Sequence, residues 1–444
     1  MTNNMTVKKQ KLLLMILAVI GCCWLAWIQP AAAAMRIDIS KGGLEAMPIA
    51  LPSFVDDGAA GQGYGQRMVQ VIAADLESSG FFKVLDQKSF LQEPGSLMRE
   101  GPNYREWRLI GAEALVSGAV RSSGDQMAVD FYIYDVFQGQ LFRQGQRFSG
   151  PASNWRYIAH RVADEIYHLL TGEKGYFASR IAFIAEKGGQ KWLSLIDQDG
   201  TNRVDLMRGS SLALTPRFAP DGNSLFYVAF EKDATRIYRF DLYSGQRTPQ
   251  GDYPGLNISP AISPDGSRMA MTLSKDGNPE IYVKNLNDGQ MFRLTDNNAI
   301  DTSPSWSPDG RRIVFNSNRA GSPQLYIMEA MPGAEARRIT FEGSYNSAPS
   351  WSPQGDLIAF VHGGGGKFRI AVMDANGGRM RVMTDSWMDE SPVWSPNGRV
   401  ILFSRQVGNL TRLYTIDVTG HNERAVPMES GIDASDPSWS PLVR

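Results

Sequence analysis

Over most of this chain apolar and polar residues alternate in short runs, and the runs themselves recur. From Ile181 onward each unit opens on a strand of the form apolar-x-apolar: Ile181-Ala182-Phe183, Leu225-Phe226-Tyr227, Met269-Ala270-Met271, Ile313-Val314-Phe315, Ile358-Ala359-Phe360 and Ile401-Leu402-Phe403. Alternation at period two marks strands with one buried face. A Gly-bearing turn and a second strand follow, with Tyr238, Tyr282, Tyr326 and Tyr414 in equivalent places, and a third short strand ends near Thr295, Thr340 or Thr384. A polar loop then leads into a strand containing Pro-x-Trp. The pattern predicts four strands in each of six units.

Residues 35–172 lack this repeat. Arg36-Ile37-Asp38-Ile39 alternates like a short strand and is followed by Gly42-Gly43. Met47 to Phe54 is a second strand candidate, with Pro48 and Pro52 marking it as an edge or entry. Met68, Val69, Ile72, Ala73 and Leu76 stand at helical spacing, and Gly80 supplies a C-terminal cap. Strands are expected over Phe81–Asp86, Leu115–Val120, Ala128–Val136 and Leu141–Phe148, the last two joined through Gln138-Gly139. Ser153 is placed to cap a helix whose apolar face is Trp155, Ile158, Ala159, Val162, Ile166 and Leu169, and Gly172 closes it. Mixed strands and two substantial helices predict an N-terminal α/β domain over 35–172 and a linker over 173–178.

The Pro-x-Trp strands carry the strongest sequence signal. Trp306-Ser307-Pro308-Asp309-Gly310 recurs as Phe218 to Gly222, Ile262 to Gly266, Trp351-Ser352-Pro353-Gln354-Gly355, Trp394-Ser395-Pro396-Asn397-Gly398 and a truncated Trp439-Ser440-Pro441. The period is 43 to 45 residues, and a Pro stands two residues before each copy, at 216, 260, 304, 349, 392 and 437. Such a period with several short strands per unit indicates a β-propeller. The aromatic ring is a plug of the size that fills the space between sheets. Ser-Pro-Asp-Gly is a tight turn in which Pro pre-sets φ and Gly supplies freedom at the end. The first strand at Ile181 has no such motif before it, and Pro437 to Pro441 has no strands after it. Joining the two ends closes the ring and removes two open sheet edges. The expected fold is therefore an N-terminal mixed α/β domain followed by a six-bladed β-propeller over 179–444, closed by the C-terminal strand.

Composition narrows the class. Of 444 residues 43% are apolar, and 44 Gly with 24 Pro fit many turns. Residues 1–34 read as a signal peptide: Lys8, Lys9 and Lys11, an apolar run from Leu12 to Ile28, and Ala32-Ala33-Ala34 before Met35, which sets cleavage between Ala34 and Met35. Val19-Ile20-Gly21-Cys22 is a rival lipoprotein box, but the apolar run continues beyond that cysteine. Both cysteines then leave with the leader, and loss of its three lysines takes the net charge from −1 to −4. Nucleic-acid binding would call for a clustered basic patch, which this balance does not provide.

Catalytic motifs are not apparent. There is no Gly-x-Ser-x-Gly elbow and no His-Glu-x-x-His among His160, His168, His362 and His421. His160 and His168 lie on one helix, too far apart to share a metal by themselves, and read as solvated or satisfied histidines. Gly363-Gly364-Gly365-Gly366-Lys367 lacks phosphate-loop spacing and reads as a hairpin. Asp221, Asp265 and Asp309 recur for turn geometry rather than as metal ligands. No cofactor is implied.

The polar loops before each Pro-x-Trp differ in kind. Asn257-Ile258-Ser259, Asp301-Thr302-Ser303, Tyr345-Asn346-Ser347, Met388-Asp389-Glu390 and Asp433-Ala434-Ser435 all begin innermost strands at the same end. They should ring one mouth of the central channel, where loops on a rigid scaffold serve for binding.

The exported α/β domain joined to this propeller resembles the TolB family of the Tol–Pal system. The resemblance spans 35–444 and rests on the repeat, on Ala73-Ala74-Asp75-Leu76 followed by Ser79-Gly80-Phe81, on Leu170-Thr171-Gly172 and on the terminus just after Trp439-Ser440-Pro441; Phe218 and Ile262 depart from the Trp of the motif. It implies a monomeric, non-enzymatic periplasmic scaffold without membrane insertion. The lipoprotein Pal would bind the propeller mouth: Asn257, Ser259, Asp301, Thr302, Ser303, Asn346, Ser347, Asp389, Glu390, Asp433 and Ser435. The inner-membrane protein TolA, and other Tol proteins with it, would be reached through Met35, Arg36, Ile37, Asp38 and Ile39, in support of outer-membrane constriction during division. A periplasmic propeller hydrolase or dehydrogenase, or a glycan-binding module, is the alternative; the first would need a nucleophile or cofactor in the channel.

Overall fold

The computed structural model describes residues 45–57, 63–207 and 212–442. The leader, the Ala34–Met35 cleavage point and the segment Met35 to Ile39 lie outside the described residues.

The N-terminal part is a seven-stranded mixed sheet carrying helices. Its elements are β1 (Met47–Ala50), β2 (Val55–Asp57), α1 (Tyr64–Ser78), β3 (Phe82–Val84), α2 (Pro94–Glu100), α3 (Tyr104–Leu109), β4 (Ala114–Ser123), β5 (Gln126–Asp135), β6 (Gln140–Gln144), β7 (Phe148–Pro151) and α4 (Trp155–Thr171). The order is β3-β1-β4-β5-β6, with β2 also on β4 and β7 also on β5. The strand expected over Met47–Phe54 is cut short. Pro52 has no N–H to give, so pairing with β4 stops at Ala50 and resumes at Val55. The strand expected over Leu141–Phe148 is likewise two strands, each paired with a different half of β5. They part at Gly145, where a Cβ would lie only 2.0 Å from the Phe131 ring.

Ser153 does not cap α4; it is exposed, and the N-cap residue is Asn154. Leu169 is half-buried, and Tyr167 and Leu170 fill the core beside Ile166 instead. Helices α2 and α3 gave no periodic signal because each has fewer than eight residues. They are held by burying Leu97 and Trp107 against Ala50, Leu115 and Val136.

The propeller follows as six four-stranded antiparallel sheets. Blade one contains β8 (Arg180–Lys187), β9 (Gln190–Asp197) and β10 (Val204–Met207), in the order β10-β9-β8. Its fourth, innermost strand is Asp433–Trp439 from the C-terminus, antiparallel to β8 with Trp439 opposite Ile181. The ring is closed by the last strand of the chain. The apolar-x-apolar strands are nearly all fully buried, and their side chains interlock between neighbouring blades: Ile313 and Phe315 meet Ile281 and Val283, and Ile358 and Phe360 meet Val314 and Ile327. Thr295, Thr340 and Thr384 act at the outer strands, each Oγ1 accepting a backbone N–H from the neighbouring strand, at 2.9 to 3.0 Å from Ile281, Leu325 and Ile370.

Residues 173–178 are not a loose tether. Tyr176 and Phe177 are fully buried, and Asp164 of α4 accepts the N–H groups of Phe177 (2.7 Å) and Ala178 (3.0 Å). The Tyr176 ring meets Trp439 edge-on at 5.8 Å. The connection thus binds the α/β sheet to the strand that closes the propeller. Among the described residues no helix is long and apolar enough to cross a membrane.

Candidate functional site

The innermost strands of all six blades surround a central cavity of about 630 Å³. In each of these strands the pairing register slips, between Leu214 and Arg217, Ile258 and Ala261, Thr302 and Ser305, Ser347 and Ser350, Glu390 and Val393, and Ser435 and Ser438. At every slip one residue takes a left-handed backbone: Thr215, Ser259, Ser303, Ala348, Ser391 and Asp436, with φ between 45° and 55°. Each precedes the repeat proline, which normally pushes its neighbour toward extended backbone. Left-handed non-Gly residues cost of order 1–3 kcal/mol each. The fold therefore stores a six-membered ring of strain on the channel wall, one position per blade.

Beyond this ring the wall is mostly Ser, Pro and the motif aromatics. The serines are engaged between blades: Ser305 Oγ accepts the Trp351 N–H and Ser438 Oγ the Phe218 N–H, both at 3.0 Å. Trp306 and Trp394 donate their indole N–H to Ala261 O (3.0 Å) and Ser350 O (2.9 Å) of the preceding blade. Arg217 and Asp436 are the charged residues of the lining. Burial pushes the Arg217 pKa down, and Asp436 opposes it. Ser391 Oγ donates to Asp436 Oδ1 at 3.1 Å.

The eleven mouth residues fall into three groups. Asn257, Asp301, Asn346 and Asp389 are completely buried. Asp301 Oδ2 accepts from Arg319 at 2.6 Å, and both oxygens of Asp389 are gripped by Arg405 at 2.7 and 3.0 Å. Burial depresses the Arg405 pKa, but the bonds to Asp389 and Glu423 outweigh it and leave the guanidinium raised. Asn257 bonds Tyr253 on both main-chain sides, and Asn346 donates to Gln324 Oε1 at 2.9 Å. These four fasten the loops from within. Ser259 and Ser303 line the channel. Thr302, Ser347, Asp433 and Ser435 are half-buried and Glu390 is exposed. Sequence polarity alone did not separate the anchors from the accessible residues, because it did not reveal Arg319 and Arg405 as their partners.

A family model described as the TolB beta propeller domain matches residues 167–443, and one described as the TolB amino-terminal domain matches residues 35–142. The chain belongs to the TolB family. The Tol-Pal system protein TolB of Paramagnetospirillum magneticum is 43% identical over 238 residues, 52% of this chain and 53% of that protein, so the match spans about half the length of that relative. The crystal structure of TolB from Acinetobacter baumannii aligns with a TM-score of 0.78 at 31% identity, over 90% of this chain and 97% of that one. A chain of a nidogen/laminin complex aligns with a TM-score of 0.50 at 13% identity, over 60% of this chain and 99% of that one, a likeness of propeller fold alone. The Acinetobacter TolB likeness takes in sheet and propeller together.

Proposed function

We propose that the protein is a non-enzymatic periplasmic scaffold of the Tol–Pal system. The observation carrying this reading is the match of both parts, in one chain and in the same order, to the TolB amino-terminal and propeller models. The propeller mouth binds Pal, and the segment Met35 to Ile39 binds TolA, so that one protein links an outer-membrane lipoprotein to an inner-membrane machine during division. The mouth suits a folded partner. Thr302, Ser347, Glu390 and the pair Asp433 and Ser435 stand on four different blades, and a standard interface of roughly 1,600 Å² needs several loops together. The buried ion pairs beneath keep those loops rigid, which lowers the ordering cost of binding.

Calorimetric titration of the chain from residue 35 with the soluble parts of Pal and of TolA tests the reading. Binding of both is expected. Deletion of 35–41 should abolish TolA binding and leave the melting temperature nearly unchanged. Failure to bind either protein overturns the scaffold assignment.

A further inference from the structure

Where α4 crosses the first blade, a histidine is aimed at two carboxylates on the other side of the contact. His160 lies at 2% exposure, and its Nδ1–H donates to Asp75 Oδ2 of α1 at 2.6 Å. The other oxygen, Asp75 Oδ1, accepts from Gln198 Nε2 at 2.8 Å. His160 Nε2 has no hydrogen-bond partner and lies 3.9 Å from Asp199 Oδ2. One donor atom each from His160, Asp197 and Asp199 falls within 4.8 Å of the others. Asp197 ends β9 and Asp199 sits in the turn after it, so the three span the contact between helix and blade.

The surroundings are over-supplied with negative charge. Burial raises the pKa of Asp75, Asp164 and Asp197; Asp199 adds to this at Asp75 and Asp197, and Asp75 at Asp164, while His160 opposes it at all three and Arg156 at Asp75 and Asp197. Arg156 Nη2 donates to Asp199 Oδ2, and the buried Arg156 Nε has no hydrogen-bond partner. Asp199 Oδ1 accepts from Thr201 N (3.1 Å) and Thr201 Oγ1 (2.7 Å), and Asp197 Oδ2 from Asn202 Nδ2 (2.6 Å).

A histidine held at one nitrogen by a carboxylate, with the other nitrogen facing two carboxylates, is the arrangement by which proteins orient and strengthen metal-binding imidazoles. Imidazole with two carboxylates suits zinc-like ions. We propose that His160, Asp197 and Asp199 form a binding site for a divalent transition-metal ion of the zinc class, with Asp75 orienting the histidine and the ion pinning α4 to the first blade. Bonds of ~2.1 Å place tetrahedral ligands ~3.4 Å apart, so the two aspartates rotate inward and Arg156 withdraws from Asp199 Oδ2. Its side chain is partly exposed and has solvent to withdraw into.

The test is calorimetric titration of chelator-treated full-length protein with Zn2+, together with the visible absorption of a Co2+ complex and the melting temperature with and without metal. The expected result is one equivalent bound, a tetrahedral Co2+ spectrum and a Zn2+-dependent rise in melting temperature. Asp197→Asn and His160→Gln should each weaken binding at least tenfold, and Asp75→Asn by ~10–100-fold. Asp197 is partly exposed, so Asp197→Asn remains informative if the His160 variant does not fold. No stoichiometric uptake by the wild type, or undiminished uptake by Asp197→Asn, overturns the proposal and leaves the cluster an ionic contact only.

Discussion

Replacing Trp439 by Ala perturbs the one seam of the ring where the two ends of the propeller chain must find each other. The indole is 8% exposed, packs edge-on against Tyr176 at 5.8 Å and donates Nε1–H to Ser179 Oγ at 2.8 Å. Cutting a buried Trp to Ala costs about 3–5 kcal/mol, and the lost aromatic pair is included in that figure. Ser179 Oγ keeps its own bond to Tyr176 O, so little further penalty falls there. For a unit of this size ~1 kcal/mol moves the melting temperature by ~2–4 °C, which puts the expected drop between roughly 6 and 20 °C. Removing residues 437–444 should cost more. It also deletes the Ser438 Oγ bond to Phe218 N (3.0 Å), the Ser440 Oγ bond to Arg180 N (2.9 Å) and the pairs of Ser438 with Ala182 and Trp439 with Ile181. Scanning calorimetry reads both variants, and limited proteolysis reports whether blade one opens first. A melting temperature equal to wild type for either variant would refute closure as the device that holds the ring.

Other residues make equally direct predictions. Arg405→Met strands the buried Asp389 carboxylate and should cost ~3–5 kcal/mol, whereas Arg405→Met with Asp389→Leu should recover most of it; urea denaturation of both separates the cases. Asp265 is held down at about 2, first by the Ser263 hydroxyl and then by the Ser267 N–H. A depressed carboxylate stabilises above its unfolded pKa of ~3.9 and loses that contribution as pH falls through about 2. Because the group is exposed, screening limits the effect to ~1 kcal/mol; Asp265→Asn should remove it, seen as a flatter acid limb in melting temperature against pH. Gly145→Ala should drive its Cβ into the Phe131 ring and cost ~1–3 kcal/mol, measured by the same denaturation.

The propeller was legible because the blades repeat one local solution: an apolar strand in all six, a Tyr strand in four, a Thr at the outer edge in three, and a Ser-Pro-Asp-Gly turn or a close variant of it. Closure was legible from the unmatched ends at Ile181 and Trp439. What stayed hidden is long-range or contrary to local rule. Ser259 and its five equivalents are left-handed although each precedes a proline, because the register slip overrides the local preference. The polar starts of the inner strands looked solvated, yet Asp301 and Asp389 are buried by arginines 18 and 16 residues away. His160 looked like an ordinary helix histidine. Its partners Asp75 and Asp199 lie on another helix and in the first blade, positions no helical spacing connects.

The most direct test of the scaffold account is the affinity of the soluble part of Pal for the chain from residue 35, compared with variants that alter the accessible mouth and spare its buried anchors. Glu390→Lys reverses an exposed charge and Thr302→Arg adds bulk, while neither touches the ion pairs of Asp301 and Asp389. The account predicts measurable binding by the wild type and at least tenfold weaker binding by each variant, with unchanged melting temperatures. Binding of Pal at wild-type strength by both variants would contradict it and place the contact away from the propeller mouth.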